Sequence, residues 1–218
     1  MSIFNVFEKG LRRGAEHLAY DPTKAYAYVE HPVQGWRVYL RNAAFLHIDP
    51  THIQQFLVFR NSKGRKQTKK GIWEPPKGQM EGKDLLHHPR TPLVQLLSNA
   101  LKREVAEEAH ITDIKEIRYT GLVFQSQEDP VKEPNVYFQY HIFQYLLEPH
   151  VVQEAFDKFN WIKEHPKAFA QFKRDRRETD RMAWYDPKET PLNPRWCPTI
   201  VNAYIKEYDS EKVQIIKS

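Results

Sequence analysis

The sequence predicts an α+β protein, a three-layer α/β/α sandwich on a mixed β-sheet. Short apolar runs rich in β-branched and aromatic residues recur between turn residues, as strands do. Only a few stretches carry helical periodicity, and they fall among the strands. With 40% hydrophobic and 28% charged residues in 218, the balance is that of a folded domain with a sizeable core, not a disordered chain.

At the N-terminus, Ile3, Phe4, Val6, Phe7 and Leu11 lie near helical spacing with Arg12 and Arg13 behind them, so residues 1–35 read as a helical extension ending in a loop at Asp21-Pro22 and His31-Pro32. Such a helix packs on the domain. A weak membrane or targeting helix is the other reading, and Glu8 and Glu16 interrupt the basic face it needs. Residues 36–48 and 54–60 read as strands, separated from Ile72-Trp73-Glu74 by a basic turn over 61–71. Then come Pro75-Pro76-Lys77-Gly78 and a polar stretch to Arg90. Thr91 is read as an N-cap and Pro92 as the first helical residue. That helix runs to about Ala109 with Leu93, Leu97, Leu101 and Val105 facing a core. Strands follow at 114–125, 136–147 and 182–185, a helical basic stretch at 151–177, and a last helix at 198–208. The expected domain is 36–208, with a tail at 209–218.

The net charge of +5 and isoelectric point near 9.1 favour polyanionic partners: phosphates, nucleic acid or acidic membrane surfaces. The single cysteine, Cys197, leaves no disulfide to form and reads as a small buried hydrophobe. No apolar run is long enough to span a bilayer, and no secretory leader is recognisable. A reducing, cytoplasmic setting is the expectation.

The chemistry concentrates at the end of the helix predicted over 92–109. Glu104, Glu107 and Glu108 are related by three and four residues and share one helical face. Like charges so placed repel by about 0.2–0.5 kcal/mol per pair, and the helix C-terminus disfavours them further. A divalent cation removes that cost. Hard cations such as Mg²⁺ and Mn²⁺ take oxygen ligands, clamp phosphates and activate water. Arg103, four residues before Glu107, is placed to orient one carboxylate.

Arg103-Glu104-Val105-Ala106-Glu107-Glu108-Ala109-His110-Ile111 resembles the helix half of the Nudix hydrolase signature, and Pro76-Lys77-Gly78 resembles its preceding loop. The resemblance implies a Nudix-like sandwich over roughly 36–208, with Gly78 as a backbone metal ligand and Glu104, Glu107 and Glu108 as carboxylate ligands of Mg²⁺ or Mn²⁺. It gives Arg103 and Glu104 catalytic roles. Three departures stand out. Gly78 to Arg103 is a step of 25 against 14 in the signature, so a loop is inserted before the helix. Counting forward from Gly78 puts Asp84 at the upstream acid; counting back from Arg103 puts Gln95 there, and Glu81 is a further candidate. His110 replaces the glycine that ends the helix in a left-handed turn. Downstream, Glu178 lies six residues before Trp184, where many family members place an acid, so Glu178 is the candidate extra ligand or general base. Asp180 is its substitute, and Glu148, Glu154 and Glu164 are weaker contenders.

Lys77, Lys69 and Lys70 are the expected phosphate contacts. The basic turn and the cluster Lys167, Lys173, Arg174, Arg176 and Arg177 are candidate contacts to phosphates or an RNA backbone. Tyr137, Phe138 and Tyr140 read as core, one of them free to stack a base. His87-His88 reads as a loop pair without metal. The implied activity is hydrolysis of a diphosphate linkage in a nucleoside-diphosphate-linked substrate: a nucleotide, a dinucleoside polyphosphate or a capped RNA 5′ end, as in mRNA decapping. The other reading is a Nudix-like module with weak catalysis that binds RNA or a ribonucleoprotein.

Overall fold

The computed structural model describes residues 2–62, 72–127 and 129–216. Its first regular element is not a helix. Arg12–Leu18 (β1) and Asp21–Glu30 (β2) form an antiparallel hairpin, which corrects the helical extension expected over 1–35. Ile3 is exposed, and the other apolar residues that suggested a helix are used one by one. Val6 is buried, Phe4 stacks on Trp36 at 4.7 Å, and Phe7 meets Tyr119 and His141 edge-on. The Phe4 amide donates to Gln125 Oε1 at 3.0 Å, and its carbonyl accepts from Gln139 Nε2 at 2.9 Å. These side-chain partners satisfy backbone groups that a helix would otherwise pair. Gly14 in β1 lies so close to the Tyr28 ring that no Cβ fits.

Arg37–His47 (β3) is the spine of the larger sheet. Leu57–Asn61 (β4) and Trp73–Glu74 (β5) belong to a second sheet, while Lys77–Gln79 (β6) returns to pair with β3. Glu116–Ser126 (β7) and Val136–Leu146 (β8) complete the larger sheet with Gln214–Ile216 (β10), in the order β1-β2-β3-β8-β7-β10. The β3–β8 pairing is parallel and the others are antiparallel, so the sheet is mixed as expected. Thr179–Trp184 (β9) joins β4 and β5 in the order β5-β4-β9. The expected tail is part of the sheet: Ile216 lies opposite Ile117 and is buried.

Alternation along β3 sets the layers. Val38, Leu40, Ala44 and Leu46 face the core shared with Leu93–Glu108 (α2) and Pro149–Glu164 (α3); Ala43 and Phe45 face Cys197–Glu207 (α5). Leu97, Leu101 and Val105 are fully buried, as their spacing predicts. The helix starts at Leu93 with Pro92 at the cap and no side-chain cap bond; Thr91 instead gives its carbonyl to Arg13 at 3.1 Å. The basic stretch at 151–177 is broken into α3, a short Pro166–Phe169 helix (α4) and a 3₁₀ turn at Arg174–Arg177. Pro166 supplies the break. Among the described residues no helix is long and apolar enough to cross a membrane.

The inserted stretch before α2 is ordered. Gly82–Leu86 (α1) opens on a reciprocal capping box between Glu81 and Asp84 and buries Leu85. Gly82 sits against β1, where an added Cβ would lie 2.5 Å from that of Ala15. Gly82→Ala should therefore force α1 from the hairpin and cost about 1–3 kcal/mol. Thermal unfolding should show a melting temperature lower by several degrees, and an unchanged value would mean that the two elements do not pack as described.

Candidate active site

The β3–β6 pairing carries Lys77 and Gly78 beneath the C-terminal turns of α2. Gly78 has to be glycine here, because a Cβ would overlap Cγ and Cδ of Glu104. The Lys77 amide donates to Glu108 Oε2 at 2.9 Å, so the strand backbone grips the helix carboxylate directly. Behind them Thr179 Oγ1 of β9 donates to the Glu108 carbonyl. Gly78, Glu104 and Glu108, which the sequence placed in one site, are thus brought together.

Arg103 organises the other carboxylates. Its guanidinium is 2.8 Å from Glu104, 3.3 Å from Asp84, and 3.7 Å from both Glu81 and Glu107. The forward count from Gly78 thus gives the acid that reaches Arg103: Asp84, with Glu81 beside it. Gln95 is elsewhere, donating to Asn99 on the exposed face of α2. Burial opposes the positive charge of Arg103, but Glu104, Asp84, Glu107 and Glu81 outweigh it and hold its pKa above the ordinary value.

Burial pushes the Glu104 carboxyl up to about 7; Glu107 and Glu178 add to this, against Arg103 and Lys24. Burial pushes Glu108 up to about 8, opposed by Lys77 and reinforced by Glu74 and Glu104. Glu74 is the residue that the sequence reading missed. It is buried, ion-paired to Lys77 Nζ at 2.9 Å, and accepts from Asn193 Nδ2 at 3.1 Å. Its only signal in the sequence was its place three residues before Lys77. Lys77, expected to meet substrate, thus already has its ammonium held by Glu74, 5.4 Å from the Trp196 ring centroid.

Glu178 ends the 3₁₀ turn before β9, and its carbonyl accepts from the Ser62 amide at 2.8 Å. Its charge contributes to the raised pKa of Glu104, which places it at the edge of the cluster. Asp180 does not serve as its substitute: Arg60 clamps both its oxygens at 2.8 and 2.6 Å. Glu148 pairs with Lys115 at 2.8 Å, and Glu154 and Glu164 are exposed on α3. Lys69 and Lys70 lie outside the described residues, as does the side chain of Arg174. His87 and His88 are exposed, and Cys197 is fully buried, its thiol pKa raised by burial. Phe138 and Tyr140 are core, while Tyr137 is half-buried beside Phe4.

His110 sits at φ 57°, so the helix ends in a left-handed turn with a histidine at that position. Its ring packs 5.3 Å from that of Phe159, and burial, with Lys158 and Arg176, pushes its pKa down to about 4.

The donor set is all oxygen, which suits a hard divalent cation. Seven carboxylates (Glu74, Glu81, Asp84, Glu104, Glu107, Glu108 and Glu178) face Lys24, Lys77, Lys83 and Arg103, leaving an acidic excess for a cation to neutralise. Among the described residues no three metal-ligating side chains already converge on one point. Glu104 and Glu108 have the most to gain from a cation, and Glu104 lies directly against the Gly78 backbone because no Cβ stands there.

No family model matches the chain. No curated protein matches it either. Among solved structures it is similar to a Nudix hydrolase from Nitrosomonas europaea at 16% identity, covering 80% of this chain and 90% of that one with a TM-score of 0.42. It is similar to the Nudix domain of Shewanella oneidensis NrtR in complex with ADP-ribose at 12% identity, covering 81% and 92% with a TM-score of 0.44. An ADP-ribose pyrophosphatase from Streptococcus suis is similar at 13% identity, covering 79% and 93% with a TM-score of 0.36.

The raised carboxyls predict a pH dependence of stability. An acid whose pKa is higher in the folded state contributes most below its unfolded value, near 4.5, and that contribution is lost as pH rises through the folded value. Neutral buried His47, His110 and His141 add stability as pH rises to about 6.5, so in metal-free buffer the carboxyl effect should show as a melting temperature that falls between about pH 7 and 9. Glu108→Gln should flatten that fall, and an identical slope in the variant would show that Glu108 does not carry it.

Proposed function

We propose that the chain is a Nudix-type hydrolase of phosphoric anhydrides that acts with Mg²⁺ or Mn²⁺. The observation that carries this reading is the seating of Glu104 against the bare backbone of Gly78, with Glu108 anchored on the next amide and Arg103 fastening Glu104 to the acids around it. Glu104, Glu107, Glu108 and the Gly78 carbonyl would hold the cation. When bound, it supplies positive charge that neutralises anhydride oxygens and makes water more acidic.

The protein's own groups account for the rest. Glu178, at the edge of the cluster and outside the cation's proposed ligands, is the candidate to take a proton from the attacking water. Arg103 fixes the Glu104 rotamer, and Glu74 with Lys77 fixes Glu108. The substrate is a nucleoside diphosphate linked to a further group: a nucleotide, a dinucleoside polyphosphate or a capped RNA 5′ end. The basic surplus of the chain supports such polyanions.

The deciding experiment is phosphate or nucleotide release with Mg²⁺ or Mn²⁺ across capped RNA, dinucleoside polyphosphates, nucleotide sugars and inositol pyrophosphates. Glu104→Gln and Glu108→Gln should each lower kcat by about 10²-fold or more with the fold intact. Equal turnover by the wild type and both variants would refute the assignment. Gly78→Ala should push Glu104 aside and lower kcat by a similar factor. Arg103→Ala should lower activity more than stability; equal losses of folded protein and activity would make it a structural residue only.

A further inference from the structure

A cavity of about 450 Å³ opens between the end of α3, α4, β4 and the start of β9. Four cationic side chains line it, Arg60, Lys163, Arg177 and Arg181, against the single carboxylate of Asp180. That carboxylate is already spent on Arg60. Lys163 and Arg181 are exposed and form no ion pair among the described residues. Arg177 gives one guanidinium nitrogen to the Ala170 carbonyl at 3.0 Å, while its Nε is buried without a partner. The wall also has an apolar part, in which Ile162 and Phe169 are buried. A folded chain that collects this much unneutralised positive charge around a hollow has built a place for an anion.

The position of the cavity says which anion. Glu178, whose charge reaches Glu104, directly follows Arg177 and stands two and three residues before Asp180 and Arg181. At about 3.3 Å per residue along an extended strand, Arg181 lies within about 10 Å of Glu178 along the chain. Through Glu178, the cavity wall thus adjoins along the chain the residue whose charge reaches the carboxylate cluster.

We propose that the cavity binds a phosphate-bearing arm of the substrate beyond the linkage that is cut, and so selects substrates with more than the two phosphates of that linkage. This inference rests on the hydrolase reading above for the word substrate, but its anion site does not. The shared chemistry is a second phosphate group, whether it belongs to a longer polyphosphate chain or to a phosphorylated sugar or ring.

Calorimetric titration with inorganic tripolyphosphate in a chelator-containing, metal-free buffer tests the site without any turnover. The wild type should bind. Lys163→Gln and Arg181→Gln, at exposed positions where the fold has little to lose, should each weaken binding by about tenfold and together by more. Glu104→Gln should bind as the wild type does. Affinity unchanged in the double variant would overturn the proposal. In turnover, the double variant should raise KM, with kcat unchanged, for a substrate with three or more phosphates, and leave KM unchanged for one with two. An equal rise for both would overturn the selection of longer substrates. If no protein turns over any substrate but the double variant still loses tripolyphosphate, the anion site stands and the hydrolase reading falls.

Discussion

The structure of the candidate site depends on one close approach: the β6 backbone at Lys77–Gly78 against the last turns of α2. That approach requires glycine at 78, because the space a Cβ would take holds Cγ and Cδ of Glu104. It also places an amide in line with Glu108. Strand β6 reaches this position because it pairs with β3 rather than continuing the smaller sheet. The helix reaches it because Leu97, Leu101 and Val105 are locked into the sandwich core.

From that approach follows an electrostatic tension. Carboxylates are held where water is scarce, and their raised pKa values express the cost. Arg103 and Lys77 offset part of it and are themselves held charged by it. This balance explains why Lys77 faces inward to Glu74 instead of waiting for substrate. The chain's positive excess lies elsewhere, in part around the cavity beside β9.

Much of the site was legible because helical spacing is a local rule. Arg103, Glu104, Glu107 and Glu108 share a face whatever else the chain does. The strands at 36–48, 54–60, 114–125, 136–147 and 182–185 were visible through short apolar runs and aromatic content. The N-terminus was misread because Ile3, Phe4, Val6 and Phe7 have helical spacing, but Phe4 and Phe7 find their partners on β7, β8 and Trp36. Propensity is a weak prior when tertiary contacts decide. Glu74 was invisible for a similar reason: its burial depends on Asn193 and Lys77, which meet only in the folded chain.

The sequence by itself determined the α+β class, the core face of α2 and the identity of the clustered acids, since each depends on period and residue type over a few turns. The tertiary structure alone decided that Asp84, not Gln95, reaches Arg103, because an ordered inserted helix carries it back across the loop. It also decided that the first strands form a hairpin and that Asp180 serves Arg60. Apart from the hairpin these outcomes are contacts between residues distant in sequence, and no local period encodes which of several available partners wins.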